Sequence, residues 1–153
     1  TYDRNFPCPT EVFWKGLKCT LPFLTKDESR YSLGATRIEF SAPAKISFAA
    51  TDGHRLSFLE KTIDESLFPP SLEKKPLTVL LPSDVSALLQ RIKPDSKFVN
   101  LYFSHDTVGV LQNIRLDFDN WEISCRVLPA KFPDISKVIP NETHITYQIN
   151  VTA

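Results

Sequence analysis

The feature that most constrains this chain is an internal repeat of the pattern that starts a helix. Pro9-Thr10-Glu11-Val12 recurs 73 residues later as Pro82-Ser83-Asp84-Val85. In each copy a hydroxyl residue can cap the first turn, and an acidic residue favours the positive end of the helix. Apolar residues at helical spacing follow each start, and a proline marks the end of each helix. They are Phe13, Leu17, Leu21 and Pro22 in the first copy, and Val85, Leu88, Leu89, Ile92 and Pro94 in the second.

Three strand-like runs follow each predicted helix. They span residues 35–41, 45–50 and 55–62 in the first half, and 98–104, 107–118 and 121–127 in the second. A shorter strand precedes each helix, at 2–6 and 77–81, and Asp52-Gly53 is typical of a tight hairpin. Each half therefore has the order β-α-β-β-β, and residues 64–76 between them form an exposed linker. We predict an α+β fold with two antiparallel sheets and both helices on one face.

The charge balance limits the classes of function. Lys plus Arg equals Asp plus Glu, at 18 each. This argues against a free-standing nucleic-acid binder but not against a protein held on DNA by topology. Cys8, Cys19 and Cys125 lack the paired spacing of zinc ligands, so they are interpreted as reduced cytoplasmic thiols, and no metal or cofactor is expected. No apolar run approaches the ~18 residues of a membrane span.

An enzyme is a poor interpretation of the polar residues. Asp52, His54 and Arg55 have the chemistry of an acid, a base and an anion holder, but Asp and Gly are also what a tight turn requires. The chain has no nucleophile elbow, and its four glycines form no phosphate-binding loop. We therefore expect a non-catalytic protein.

Three motifs in register carry a resemblance to a known family. Ala50-Thr51-Asp52-Gly53-His54-Arg55-Leu56 resembles a hairpin of the beta subunit of bacterial DNA polymerase III, the replicative sliding clamp. The segments 132–140 and 30–33 resemble two further motifs of its middle domain. The resemblance implies a clamp middle domain at residues 1–141, with halves at about 1–63 and 76–141. Residues 142–153 then form a linker and the truncated first strand of a following clamp domain, with strand character at 146–151. The region 107–127 is longer than the family pattern, which suggests that the hairpin near Asp119 protrudes.

The resemblance also implies two functional surfaces. One is half of a cleft for clamp-binding peptides, formed by Leu33, Thr51, Gly53, His54, Arg55, Leu56, Pro133, Lys137 and Val138. Lys137 stands where the family pattern leads us to expect Arg, which weakens any bidentate contact there. The other is a DNA-facing surface on and beside the helices, formed by Lys15, Lys18, Lys26, Arg30, Tyr31, Gln90 and Arg91.

The partners implied are duplex DNA inside a complete ring, DNA polymerase III, other proteins with clamp-binding motifs, and the clamp loader. The chain alone is expected to be a monomer located in the cytoplasm. An alternative is a stand-alone clamp-like module that captures such peptides and regulates replication without encircling DNA. The sequence opens with Thr1 and contains no Met, so it is compatible with both an excised segment and a complete protein.

Overall fold

The computed structural model describes residues 2, 4–25, 34–137 and 145–151. Within these residues the strands are β1 (Arg4–Pro9), β2 (Ala35–Ser41), β3 (Lys45–Thr51), β4 (Leu56–Thr62), β5 (Leu77–Pro82), β6 (Phe98–His105), β7 (Leu111–Phe118) and β8 (Trp121–Arg126). The helices are α1 (Thr10–Thr20), α2 (Pro70–Lys74) and α3 (Ser83–Gln90), with short 3-10 turns at Leu21–Phe23, Glu65–Leu67 and Ile135–Lys137. None of these helices is long and apolar enough to span a membrane.

The two halves of the chain exchange their first strands. One antiparallel sheet has the order β1-β6-β7-β8, and the other has the order β4-β3-β2-β5. The strand before each helix thus pairs with the strand that follows the other helix. The pairing is equivalent in both sheets, because Pro9 faces Phe98 and Pro82 faces Ala35. The predicted α+β fold with two antiparallel sheets is confirmed, and the exchange is a finding of the structure.

The helices lie side by side and are joined by hydrogen bonds that involve Trp14. Its indole Nε1 donates to the carbonyl oxygens of Leu89 at 3.0 Å and Ile92 at 3.1 Å. The amide Nε2 of Gln90 donates back to the Trp14 carbonyl at 3.3 Å. Beneath the helices, Phe13 and Leu17 are fully buried in the core. Apolar spacing on α1 therefore correctly indicated which side faces the sheets.

The predicted helix caps are wrong. Neither α1 nor α3 has a side-chain cap hydrogen bond, and Pro9 and Pro82 occupy the capping positions. Each strand runs directly into its helix. The first helical N–H therefore donates to a backbone carbonyl just before the neighbouring strand. Thr10 donates its N–H to the Lys97 carbonyl, and Ser83 donates to Gly34, each at 3.0 Å. The Thr10 hydroxyl is buried without a hydrogen-bond partner among the described residues.

The linker between the halves is partly buried, contrary to prediction. It contains α2, whose Leu72 is buried, and Phe68 packs edge-on against Phe6 with 6.1 Å between ring centroids. The Glu73 carboxylate accepts the N–H of Ala44 at 3.0 Å. These contacts cover the end of the core. The linker is therefore packed against the domain, although many of its residues are polar.

Two predictions about hairpins and strands also differ from the structure. The hairpin at Asp119 does not protrude, because its carboxylate accepts the N–H groups of Asp95 at 3.0 Å and Ser96 at 2.8 Å. Between β6 and β7 the chain forms a turn at 106–110, where Asp106 Oδ1 accepts the N–H groups of Val108 and Val110. Residues 145–151 form no strand and are exposed, and no strand among the described residues pairs with them.

Candidate functional site

The predicted peptide-binding hairpin connects β3 and β4 through a four-residue loop organised by Asp52. One oxygen of its carboxylate accepts the N–H groups of His54 and Arg55, each at 2.9 Å. The backbone of Gly53 has φ 92°, a conformation that favours glycine. These two backbone hydrogen bonds, with a smaller contribution from the Arg55 side chain, lower the pKa of Asp52 to about 2. The hairpin therefore lies where Asp52-Gly53 predicted one, and the Asp52 carboxylate has a structural role.

The tip of this hairpin is fixed to the end of α1. The Arg55 Nη2 donates to the Pro22 carbonyl at 3.2 Å, and its guanidinium carbon lies 4.9 Å from the centroid of the Phe23 ring. Two residues beyond the loop, Ser57 donates its hydroxyl to the Cys19 carbonyl at 2.9 Å. Carbonyl groups at and beyond a helix end lack intrahelical partners. The hairpin satisfies two of them.

Apolar side chains line the outer face of the sheet beside the hairpin. Thr51 pairs with Leu56, and Ala49 pairs with Phe58. Paired residues point to the same side of an antiparallel sheet, and so do residues two apart on one strand. These four side chains, which we call the outer patch, therefore share one surface. Phe58 is 42% exposed and Leu56 is half-buried, whereas Ala49 and Thr51 are buried beneath them.

Residues 128–137, which we call the exit segment, approach the same surface from the opposite edge. The segment begins where Leu128 donates its N–H to Leu80 of the edge strand β5, at 3.0 Å. Arg37 of β2 lies between Leu80 and Ala49 in the sheet register. Hydrogen bonds from Ser136 lower the pKa of Asp134, and the positive charges of Lys137 and Arg37 lower it further. The exit segment thus reaches the strand next to β3.

The described residues of the predicted cleft lie in two segments. Thr51, Gly53, His54, Arg55 and Leu56 lie in the hairpin, while Pro133 and Lys137 are exposed in the exit segment. Leu33 and Val138 lie outside the described residues. Phe58 was not among the predicted cleft residues. It lies two residues from Leu56 in β4, and this spacing places both side chains on one face of the sheet.

The predicted DNA-facing residues divide into three groups. Lys15, Lys18 and Arg91 are exposed on the helix pair. Gln90 is half-buried and donates to the Trp14 carbonyl, so its amide joins the two helices. Lys26, Arg30 and Tyr31 lie outside the described residues. Glu11 and Asp84 are exposed on the same helices, so the helical surface carries charges of both signs.

The described residues contain no cluster of His, Cys, Asp and Glu side chains that could hold a metal ion. Cys8 is buried, and burial raises the pKa of its thiol far above the usual range. Burial raises the pKa of the Cys125 thiol to about 11, with a smaller contribution from Asp84. Both thiols are therefore held in the protonated, weakly nucleophilic form at neutral pH.

Comparison with known proteins identifies the family of this fold. The family model described as "DNA polymerase III beta subunit, central domain" matches residues 9–134. The chain belongs to this family. Among curated clamp proteins, the beta sliding clamp of Rickettsia felis is 27% identical over 151 residues, which cover 97% of this chain and 37% of the relative. The beta sliding clamp of Borreliella burgdorferi is 22% identical over 116 residues, which cover 76% of this chain and 26% of the relative.

The structures of clamps have the same fold. The DNA polymerase sliding clamp from Bacillus subtilis superimposes with a TM-score of 0.77 at 19% identity, covering 93% of this chain and 35% of that one. The beta subunit from Streptococcus pyogenes gives a TM-score of 0.76 at 21% identity. The chain therefore spans roughly a third of the length of these clamps, and the predicted resemblance to the clamp middle domain is confirmed.

Proposed function

We propose that this chain is the middle segment of a DNA sliding clamp, a processivity factor that encircles duplex DNA and docks the peptides of polymerases. The observation that carries the proposal is the outer patch, an apolar surface beside a fixed hairpin in a chain of the clamp family. In this proposal residues 1–141 are the middle domain. Residues 142–153 are a linker and the first strand of a following domain.

The proposed peptide site combines the outer patch with the exit segment. Leu56 and Phe58 offer apolar area to a peptide side chain, and the exposed Gly53 permits a close approach of peptide backbone. Lys137 supplies a positive charge at the rim. An apolar floor with a few directing polar groups is typical of a ligand site, and Leu33, His54, Pro133 and Val138 complete our assignment.

The proposed DNA-facing surface is the helix pair. Lys15 and Lys18 on α1 and Arg91 directly after α3 are exposed cations that can contact phosphates without reading sequence. Lys26, Arg30 and Tyr31 extend this assignment into the loop after α1. Because acidic residues share the surface, affinity for DNA is low, and retention on DNA depends on closure of the ring.

The proposed role is non-catalytic, and we infer that the isolated chain is a monomer. The clamp loader and DNA polymerase III are the proposed partners of the complete ring. The alternative, a stand-alone peptide-binding module with the same fold, shares the patch but not the ring. The natural coding sequence distinguishes them, since a gene that encodes about three such domains excludes the stand-alone module.

The experiment that tests the peptide site is chemical-shift mapping of the chain with a synthetic peptide that carries a clamp-binding motif. We expect Gly53, Leu56 and Phe58 to shift together, with weak affinity because the following domain would supply the other wall. Leu56→Asp introduces a charge into the outer patch and should abolish binding. Leu88→Asp is the matched control, because Leu88 is a 48% exposed leucine on α3. Equal loss in both variants, or shifts confined to the helices, would contradict the assignment.

A further inference from the structure

The Arg55 side chain makes three contacts within the protein that the sequence did not indicate. Its Nε donates to Asp52 Oδ2 at 3.1 Å, its Nη2 donates to the Pro22 carbonyl, and its flat face covers the Phe23 ring. The side chain is nevertheless 59% exposed. A residue expected to serve a bound peptide thus already has three partners, and they belong to two different segments of the chain.

These contacts require the shape of a guanidinium group. A planar fork donates in two directions within its plane while its face packs on an aromatic ring. A lysine ammonium carries the same charge but cannot reproduce both in-plane bonds and the ring contact. Arg55 is therefore suited to joining the hairpin to the turn after α1, and this suitability does not depend on any ligand.

We propose that Arg55 is a positioning residue of the peptide site: it holds the hairpin tip, residues 52–55, on the turn after α1 and thereby sets where Gly53 and His54 lie beside the outer patch. This inference rests on the proposed peptide-binding function. It differs from a direct role, in which the guanidinium would bind acidic groups of the peptide. The direct role requires Arg55 to leave the Pro22 carbonyl, which would then lose its hydrogen bond from the hairpin.

The rest of the hairpin is built so that losing the Arg55 side chain leaves a folded loop. Asp52 still accepts the backbone N–H groups of residues 54 and 55, and the Thr51 hydroxyl still donates to the carbonyl of residue 55 at 2.6 Å. Ser57 keeps its separate bond to Cys19. Substitution of Arg55 therefore frees the tip from α1 without removing the internal hydrogen bonds of the loop.

The first test needs no peptide. Amide hydrogen exchange should accelerate at Phe23 and Leu24 and at Gly53–Leu56 in both Arg55→Lys and Arg55→Ala, because both variants lose the ring contact and an in-plane bond. Lys137→Ala, which removes an exposed cation from the exit segment, should leave these amides unchanged. Unchanged exchange in both Arg55 variants would overturn the proposal, whatever the peptide results are.

The second test uses two synthetic clamp-binding peptides, one with its Asp and Glu residues and one with Asn and Gln in their place. We expect both Arg55 variants to weaken both peptides by the same factor, roughly threefold to tenfold, equivalent to about 0.7–1.4 kcal/mol. Lys137→Ala should weaken only the acidic peptide. Three outcomes would each overturn the positioning role. They are wild-type peptide affinity in Arg55→Lys, a loss of affinity confined to the acidic peptide, and accelerated amide exchange with unchanged peptide affinity. Failure of both peptides to bind the unmodified chain would instead contradict the peptide-binding function, while the exchange test still reports on the Arg55 contacts.

Discussion

Gly16 lies at the centre of α1, where the helix approaches the sheet most closely. A Cβ atom at this position would overlap the ring of Phe48 on β3. The Phe48 ring also packs edge-on against Phe13, at 6.0 Å between centroids. The ring thus lacks freedom to move aside, and glycine is required here by space. Helix propensity alone would have favoured alanine at this position.

We therefore expect Gly16→Ala to destabilise the fold. Overpacking of a filled core costs about 1–3 kcal/mol, and this outweighs the helix-propensity gain of about 1 kcal/mol. Urea denaturation followed by circular dichroism measures the difference in free energy of unfolding. Gly109→Ala is the comparison, because nothing lies within 4 Å of its added Cβ and only its φ of +85° opposes the change. A more stable Gly16→Ala protein would show that the helix shifts outward freely.

The Asp52 carboxylate gives a prediction about pH. Its pKa is lowered from 3.8 to about 2 by the N–H groups of His54 and Arg55. A lowered pKa means that the ionised form stabilises the hairpin at every pH above the ordinary value, and that this contribution is lost as pH falls toward 2. An NMR titration should show the His54 and Arg55 amides moving with a midpoint near 2. The shift change should be absent in Asp52→Asn, and a midpoint near 3.8 would contradict the hydrogen-bond geometry.

At this scale the sequence indicated residue types better than residue roles. Thr10 and Ser83 have the chemistry of caps, but the incoming strands already place their N–H groups against neighbouring carbonyls. Asp52 was recognised as a turn residue, which it is. The contacts of Arg55 with Pro22 and Phe23 depend on how the hairpin packs against the turn after α1. Local sequence patterns do not contain that information.

At the scale of elements, the helix pair is held by the side chains of Trp14 and Gln90. Trp14 packs edge-on against Phe118 with 4.9 Å between centroids, and its indole N–H donates to two carbonyls at the end of α3. Carbonyl groups in the last turn of a helix have no partner within it. The Leu89 carbonyl also accepts the Ile92 N–H, so Trp14 supplies a second donor there and a donor to Ile92 just beyond α3. Its ring packs on the β1-β6-β7-β8 sheet.

We expect Trp14→Phe to cost about 1–3 kcal/mol, because it takes the indole donor from the Ile92 carbonyl and one of two donors from the Leu89 carbonyl, while retaining an aromatic ring. Thermal or urea denaturation measures the loss. Trp121→Phe serves as the control, since Trp121 is 52% exposed and substitutions at exposed sites usually change stability by less than ~0.5 kcal/mol. Similar effects of the two substitutions would argue against the indole hydrogen bonds as the cause.

The elements were largely predictable because their periodicities are local. Alternation placed Ile38 and Phe40 on the inner face of β2, and both are fully buried. Leu88 shows the limit of the same argument. Its spacing from Val85 and Ile92 assigned it to the core, yet it is exposed while Leu89 is buried. The position of α1 against α3 determines which of the two adjacent leucines is buried. Helical spacing alone does not determine this.

For the whole molecule, we expect weak DNA binding with a shallow dependence on salt. With Lys15, Lys18 and Arg91 as the described cations of the helix pair, about three phosphate contacts give a slope of roughly 3 in a plot of log affinity against log salt. Fluorescence anisotropy with a labelled duplex measures it. Lys15→Gln with Lys18→Gln should lower the slope, whereas Lys74→Gln on α2 should not. A slope several-fold steeper would show that another surface binds the DNA.

The repeat of helix starts indicated two similar halves but not how they combine. The sequence shows that β1 precedes α1 and β5 precedes α3, which is compatible with two independent sheets. The structure places each of these strands in the sheet of the opposite half. Which sheet β1 or β5 joins depends on which sheet edge lies beside it once the helices have packed. It is a property of the assembled chain.

This exchange has a consequence for how the chain reaches its native state. Arg4 must pair with Phe103 before the β1-β6-β7-β8 sheet has all four strands, and Ala35 must pair with Pro82 before the β4-β3-β2-β5 sheet does. Contacts between positions so distant in sequence incur a large loop-closure entropy and form slowly. Neither half can finish ahead of the other and act as a template. The transition state for folding should therefore contain residues from both halves, and cutting the chain between them would leave two fragments that each lack an edge strand until they recombine.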